Sequence, residues 1–285
     1  MSAPAPSRTG WRPALSPSRA GDFKQCPLLY RFRAIDRLPE PVSAAQLRGS
    51  VVHAALENLY ALPAIERQHD TALTLIDPAL DRVAAEAGES GLELDAALRA
   101  ELLRDARKLL SGYYRLEDPT RFDPHSCEQR VEVELADGTL LRGFVDRIDI
   151  APTGEMRVVD YKTGKSPSEL WALAEAKALF QMKFYAVALW RSRDVLPAKL
   201  RLLYLADGQV LDYSPDLDEL LRFERTLTAI WRAIQSAGST GDFRASRSKL
   251  CGWCAHQQFC PEFGGTPPEY PGWPEDPEPR GRSTP

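Results

Sequence analysis

The sequence predicts a mixed α/β domain in which a sheet is flanked by helices and preceded by a helical insertion. Three observations lead there. Apolar residues recur at helical spacing over residues 15–120, alternating strands with turn signals occupy 129–162, and a helix, a hairpin and a further helix follow. Of the 285 residues 44% are hydrophobic, which by composition allows a sizeable core. No apolar run approaches the roughly 18 residues needed to cross a bilayer. Met1 to Gly10 has no apolar h-region, so a cytoplasmic protein is expected.

In chain order, residues 1–14 read as a disordered tail. Ser16-Pro17-Ser18 offers a helix start, with helix continuing to about Ile35. Gln46 to Leu62 is a second helix, with Val52, Leu56 and Leu59 at helical spacing. Asp70–Ala87 and Asp95–Leu116 carry two more, separated by Gly88–Gly91. Gln129 to Leu135 alternates as a strand, Asp137-Gly138 signals a hairpin, and Leu140–Ile150 returns. Pro152-Thr153-Gly154 turns the chain into a third strand, Met156–Lys162. A helix over about Ser168–Arg191, a hairpin of Leu200–Leu205 and Gln209–Tyr213, and a helix over Leu217–Ala237 complete the order. The α/β core is placed at 128–240, the whole domain at 15–263, and a Pro-rich disordered tail at 264–285.

Net charge is −4, which does not mark a nucleic-acid binder. Between Arg8 and Arg37, seven basic residues face two acids. With Tyr30 and Phe32, that stretch offers contacts to phosphates and bases, or simply packs a helix.

Asp160 and Lys162 are two apart on a strand and share a face, whereas Tyr161 points the other way. Asp146 lies on the preceding strand, which the 152–154 turn brings alongside. Carboxylate oxygens are the ligands Mg²⁺ and Mn²⁺ prefer. A lysine beside them can orient water and offset phosphate charge, so the grouping suits phosphodiester hydrolysis. The ordinary reading of such a pair is a surface salt bridge. Against it, Asp160 follows the apolar run Val158-Val159, and a buried carboxylate needs a partner or a metal.

Gly143-Phe144-Val145-Asp146-Arg147-Ile148-Asp149, followed by Val158-Val159-Asp160-Tyr161-Lys162-Thr163-Gly164, resembles the RecB-like nucleases of the PD-(D/E)XK superfamily. The resemblance implies a restriction-endonuclease-like core, with Asp146 and Asp160 as metal ligands, the Tyr161 carbonyl as a further ligand, and Lys162 as the catalytic lysine. Asp149 projects opposite to Asp146 and is the lesser candidate. Arg48-Gly49-Ser50-Val51-Val52-His53 resembles the family's Gly-x-x-x-His helix, which makes His53 a metal ligand, although a lone helical histidine is more often structural. Gln181-Met182-Lys183-Phe184-Tyr185 resembles its Gln-x-x-x-Tyr signature, and Gln181 and Tyr185 share a helix face.

The odd count of cysteines, without an export signal, argues against a disulfide framework. Cys251-x₂-Cys254-x₅-Cys260 has ligand spacing and needs a fourth partner. Cys26, which precedes Pro27, is the candidate, and His256 is a competitor. The pattern resembles the AddB-type and CRISPR adaptation nucleases, which implies a 4Fe–4S cluster stapling the domain ends. Zinc is the alternative. Cys127 falls outside the set as a small buried hydrophobe. The resemblance as a whole implies a stand-alone exonuclease acting on single-stranded DNA or DNA ends in repair. No phosphate-binding Gly-x-x-x-x-Gly-Lys-Ser/Thr loop is present, so any helicase motor would come from a partner. The competing readings are a non-catalytic DNA-binding or subunit-bridging module of this fold, and a zinc protein with an unrelated hydrolase site.

Overall fold

The structure, a computed structural model, describes residues 12–88, 94–167 and 172–274. The predicted break at residues 89–91, the start of the helix at Ser168, most of the predicted N-terminal tail and residues 275–285 of the C-terminal one lie outside the described residues. The helices are α1 (Pro17–Gln25), α2 (Pro27–Tyr30), α3 (Ala44–Tyr60), α4 (His69–Thr74), α5 (Ile76–Gly88), α6 (Ala96–Tyr113), α7 (Ala172–Arg193) and α8 (Leu217–Thr240). The strands are β1 (Ser126–Glu134), β2 (Leu140–Ile150), β3 (Met156–Lys162), β4 (Lys199–Tyr204) and β5 (Gln209–Tyr213). Among the described residues no helix is long and apolar enough to cross a membrane.

Prolines explain where the helices depart from expectation. The helix expected to run unbroken from Ser16 to Ile35 stops at Cys26, which is extended (φ −162°, ψ 113°). Pro27 forces this, because its ring excludes the residue before it from the helical region. Pro27 then opens α2, and a π-helical turn follows over Arg31–Asp36. Asp70–Ala87 likewise divides into α4 and α5 around Leu75. Pro78 has no N–H to give the Thr74 carbonyl, so one continuous helix would lose a hydrogen bond there. The second helix begins earlier than expected because Ser43 and Gln46 form a reciprocal capping box.

The five strands form one mixed sheet in the order β1-β2-β3-β4-β5. β2 and β3 are antiparallel with Arg147 opposite Val159. β3 and β4 are parallel, with Asp160 opposite Leu202, and α7 is the crossover between them. β4 and β5 make the expected hairpin, with Gly208 left-handed at its turn (φ +69°).

The chain divides into two compact units, each discontinuous in sequence. One comprises residues 39–133 and 142–225. Its core joins apolar faces of α3, α5 and α6 to Val159, Tyr161, Leu203 and Leu205 on one face of β3 and β4. α6 approaches the chain end of β4 so closely that a Cβ on Gly112 would stand 2.2 Å from the Leu205 carbonyl oxygen. Gly112→Ala should therefore cost about 1–3 kcal/mol or more in urea unfolding; an unchanged midpoint would contradict that packing.

The other unit comprises residues 1–38, 134–141 and 226–285. In it Tyr30 and Phe32 are buried (3% and 2% exposed), Tyr30 beside Phe23 and Phe243, Phe32 beside His256 and Phe259. Their role is packing, and the suggested base contacts are withdrawn. Arg31 is buried too, 3.0 Å from Asp36. The tail predicted to be disordered from Gly264 is instead packed as far as residue 274. The Tyr270 hydroxyl donates to the Gly238 carbonyl at 2.6 Å, and Trp273 lies against Trp231 and over Gly238. Two aromatics among the prolines supply the apolar area that composition alone did not weigh.

Candidate functional site

Alternation along β3 sorts its residues. Val159 and Tyr161 enter the helical core, which sends Asp160 and Lys162 to the opposite face. The β2–β3 register sets Asp146 beside that position. Asp146 and Asp160 are both buried, at 8% and 1% exposed, so their oxygens need partners.

Those partners form two linked groups. In the first, Asp160 Oδ2 lies 2.7 Å from Lys162 Nζ. Gln181 bridges the pair from α7, accepting from Lys162 Nζ through Oε1 at 2.9 Å and donating through Nε2 to Asp160 Oδ1 at 2.9 Å. Gln181 Nε2 also reaches the Tyr185 hydroxyl at 3.3 Å. The Gln-x-x-x-Tyr pair thus faces the acid and the lysine, as one turn of helix allows. Burial works against the Lys162 charge, but Asp160, then Asp146, raise its pKa above the ordinary lysine value.

The second group surrounds His53 on α3. The Tyr161 carbonyl can only accept, so His53 Nε2 donates to it, at 3.0 Å. His53 Nδ1 faces Asp146 Oδ2 at 3.5 Å and Glu128 Oε1 at 3.8 Å. The Tyr161 N–H donates to the same Asp146 oxygen at 2.8 Å. Burial disfavours the imidazolium, yet the surrounding carboxylates of Asp146, Glu128 and Asp160 overcome it and push the His53 pKa up. Burial and the charge of Asp160 push the Asp146 carboxyl up, against the pull of His53 and the Tyr161 N–H.

Ligand atoms of His53, Glu128 and Asp146 lie within 4.8 Å of one another. Asp160 stands outside that tight set, engaged by Lys162 and Gln181. Glu128 belongs to no motif read in the sequence. It precedes the alternating stretch that marks the strand, and its backbone is left-handed (φ +44°). A non-glycine residue in that region is strained by roughly 1–2 kcal/mol, a feature of tertiary structure that no spacing announces. Asp149 is turned away with Arg147 and Arg157 at 3.0 and 2.8 Å, as its place in the alternation requires.

The donor set fits a divalent ion. His53, Glu128 and Asp146 converge beside the Asp160–Lys162 pair, and oxygen with imidazole nitrogen suits Mg²⁺ or Mn²⁺. A bound cation would also answer the negative charge of Asp146, Glu128 and Asp160 that raises the His53 pKa.

The cysteines stand differently. Cys26, Cys251, Cys254 and Cys260 line one pocket, together with Leu28, Leu29 and Phe32. Burial raises the Cys260 thiol pKa; a Glu262 backbone N–H opposes this, and Cys26, Cys254 and Cys251 add to it. Among the described residues, however, the four are not gathered like the His53 set. Cys26 and Cys251 each accept a backbone N–H, from Ser246 and Ser248. His256 is buried against Phe32 and does not line this pocket. Cys127 is half-buried against the helical core, with its thiol pushed up to about 12 chiefly by burial.

A mixed sheet between helices, with acids and a lysine on adjacent strands, defines a nuclease-type fold. The chain belongs to the PD-(D/E)XK nuclease superfamily, whose model matches residues 14–261. The chain is 32% identical over 148 residues to the "Gene 69 protein" of Mycobacterium phage L5, a match covering 48% of this chain and 47% of the phage protein. It thus spans about half the length of that relative. In fold it is similar to the crystal structure of a Eubacterium rectale protein named "Putative exonuclease", with a TM-score of 0.57 and 14% identity. That match covers 85% of this chain and 87% of the other.

Proposed function

We propose that the chain is a divalent-metal-dependent DNA nuclease of the RecB-like type, an exonuclease of the cytoplasm acting on single-stranded DNA or DNA ends in repair. One observation carries the reading: His53, Glu128 and Asp146 draw ligand atoms within 4.8 Å of one another beside the Asp160–Lys162–Gln181 group. His53, Glu128, Asp146 and the Tyr161 carbonyl would hold the ion, with Asp160 as a further ligand from the neighbouring Lys162–Gln181 group. When bound, it would polarise the phosphate and acidify a water. In the hydrolysis, the water oxygen bonds to phosphorus, the bond from phosphorus to the departing nucleotide oxygen breaks, and that oxygen takes up a proton. Lys162, braced by Asp160 and Gln181, offers its ammonium to the charge growing on the phosphate oxygens. Tyr185 fixes the free side of Gln181.

The test is degradation of end-labelled DNA with Mg²⁺, Mn²⁺ or EDTA, on linear single-stranded, linear duplex, end-blocked and circular substrates. Metal-dependent loss of linear DNA with circles spared is expected. Tight DNA binding without cleavage under every metal would instead establish a non-catalytic DNA-holding module. Addition of a helicase partner is expected to extend digestion into duplex.

A 4Fe–4S cluster on Cys26, Cys251, Cys254 and Cys260 forms the second part of the proposal, with Zn²⁺ as the alternative. Its support is the shared pocket and the Cys-Pro steps at Cys26 and Cys260. The ligands are more than 200 residues apart, so a cluster would close a long loop and stabilise the fold. Anaerobically purified protein should be brown and contain iron and sulfide, and Cys251→Ala should lose the colour and melt lower. Colourless protein containing zinc would decide for the alternative, and protein containing neither metal would remove the assignment.

A further inference from the structure

The face of the sheet turned away from the acids holds a buried polar group that the proposed reaction does not use. Arg147 and Tyr161 neighbour Asp146 and Asp160 on β2 and β3, so both point to the rear, and both are buried. Arg147 is fully enclosed. Its Nη1 donates to the Tyr161 hydroxyl at 2.9 Å, to the Tyr60 hydroxyl at 2.9 Å and to Glu117 Oε2 at 2.7 Å. Its Nη2 donates to Glu117 Oε1 at 3.0 Å. Burying a guanidinium is costly, and an arginine here rather than an apolar residue calls for a reason.

Tyr161 supplies one. It is joined to the candidate metal centre twice through its backbone: its N–H holds Asp146 Oδ2 and its carbonyl holds His53 Nε2. Its ring stands edge-on to His53 and to Tyr113, each at 5.9 Å between centroids. The hydroxyl bond to Arg147 is the third anchor, on the far side of the sheet. A residue pinned at N–H, carbonyl and hydroxyl has little freedom to slide, and the two ligands it orients share its position. Groups that orient metal ligands in this way commonly tune affinity by about 10–100-fold.

We infer that the Arg147–Tyr161 hydroxyl bond is a positioning device that fixes the depth of Tyr161 in the sheet and thereby the spacing of His53 and Asp146 for the cation. This rests on the metal reading proposed above.

Arg147 variants risk unfolding the core, so the test removes one atom. Tyr161→Phe keeps the ring and deletes only the hydroxyl. Tyr113→Phe is the control: its hydroxyl bonds the hydroxyl of Tyr60 and, at 3.4 Å, Glu117, and leaves the Arg147–Tyr161 bond in place. Mn²⁺ binding to the full chain is measured by titration calorimetry without DNA, alongside metal-free melting. Tyr161→Phe should weaken Mn²⁺ binding about tenfold, and Tyr113→Phe should leave it unchanged even where it melts lower. Equal weakening in both variants would reduce the effect to general stability and overturn the inference. Unchanged affinity in Tyr161→Phe, with the wild-type chain binding Mn²⁺ and Asp146→Ala losing it, would overturn the inference alone. No Mn²⁺ binding by the wild-type chain would remove the metal reading and the inference with it.

Discussion

Lys162→Ala should lower metal-dependent cleavage of linear DNA by about 10²–10⁴-fold, the range for losing a positioned acid–base or charge-stabilising group. The ammonium is held 2.7 Å from Asp160 and 2.9 Å from Gln181. Alanine removes the charge that faces the phosphate and leaves Asp160 without its cation. Asp160→Ala should be at least as severe, because it frees Lys162 and alters the field around His53 and Asp146 together. Binding of uncleaved DNA measured in EDTA should change little in either variant, since phosphate contacts spread over many groups. Melting should fall for Lys162→Ala, because Asp160 is left enclosed without its cation. Cleavage within twofold of wild type in both variants would end the assignment of these residues.

The second large effect is on stability. Glu117 is the hub of a charged cluster: it pairs with Arg147 at 2.7 Å, and Arg201 and Arg157 approach to 3.5 and 4.0 Å. Removing one partner of a buried pair costs about 3–5 kcal/mol, because the other charge stays enclosed. Glu117→Ala should lower unfolding free energy at pH 7 by that amount and bring the urea midpoint down accordingly. The pH dependence follows from the carboxyl. Burial alone would raise its pKa, but hydrogen bonding and charge from Arg147, then Arg157 and Arg201, hold it below the ordinary value. A carboxyl depressed in the folded state stabilises above its unfolded pKa of about 4.3, and that contribution fades as pH falls through the folded value. The gap between wild type and variant should be constant from pH 7 to about 5 and narrow only in more acid solution. A gap that widens on acidification would contradict the depressed carboxyl.

Much of this site is written in short-range pattern. Asp160 and Lys162 lie two apart on a strand, so whichever face the apolar residues claim, the acid and the amine share the other. Gln181 and Tyr185 lie one turn apart on a helix. Such periodicities follow from backbone geometry and need no knowledge of neighbours. The prolines were equally legible in kind, but weighing Pro27 and Pro78 against the helical pattern around them required knowing that each one breaks it.

Other features had no local signal. Glu128 enters the His53 set through a left-handed backbone within β1, a conformation set by the strand's surroundings. Tyr30 and Phe32 looked equally fit for bases or for a core, and the packing of Phe23, Phe243, His256 and Phe259 around them decided for the core. The segment 264–274 reads as a tail by composition, and only Trp231 and Gly238 on α8 show where its aromatics go.

By itself, then, the sequence determined the alternation of strands and helices, the α/β class, and the sharing of a strand face by Asp160 and Lys162. These depend on residues within one or two turns of each other. Tertiary structure alone decided that Glu128 joins His53 and Asp146, that Arg147 is enclosed behind them, and that Cys26 shares a pocket with the late cysteines. Those outcomes depend on packing between segments far apart in the chain, where the distance between two side chains is a property of the whole fold and of no stretch within it.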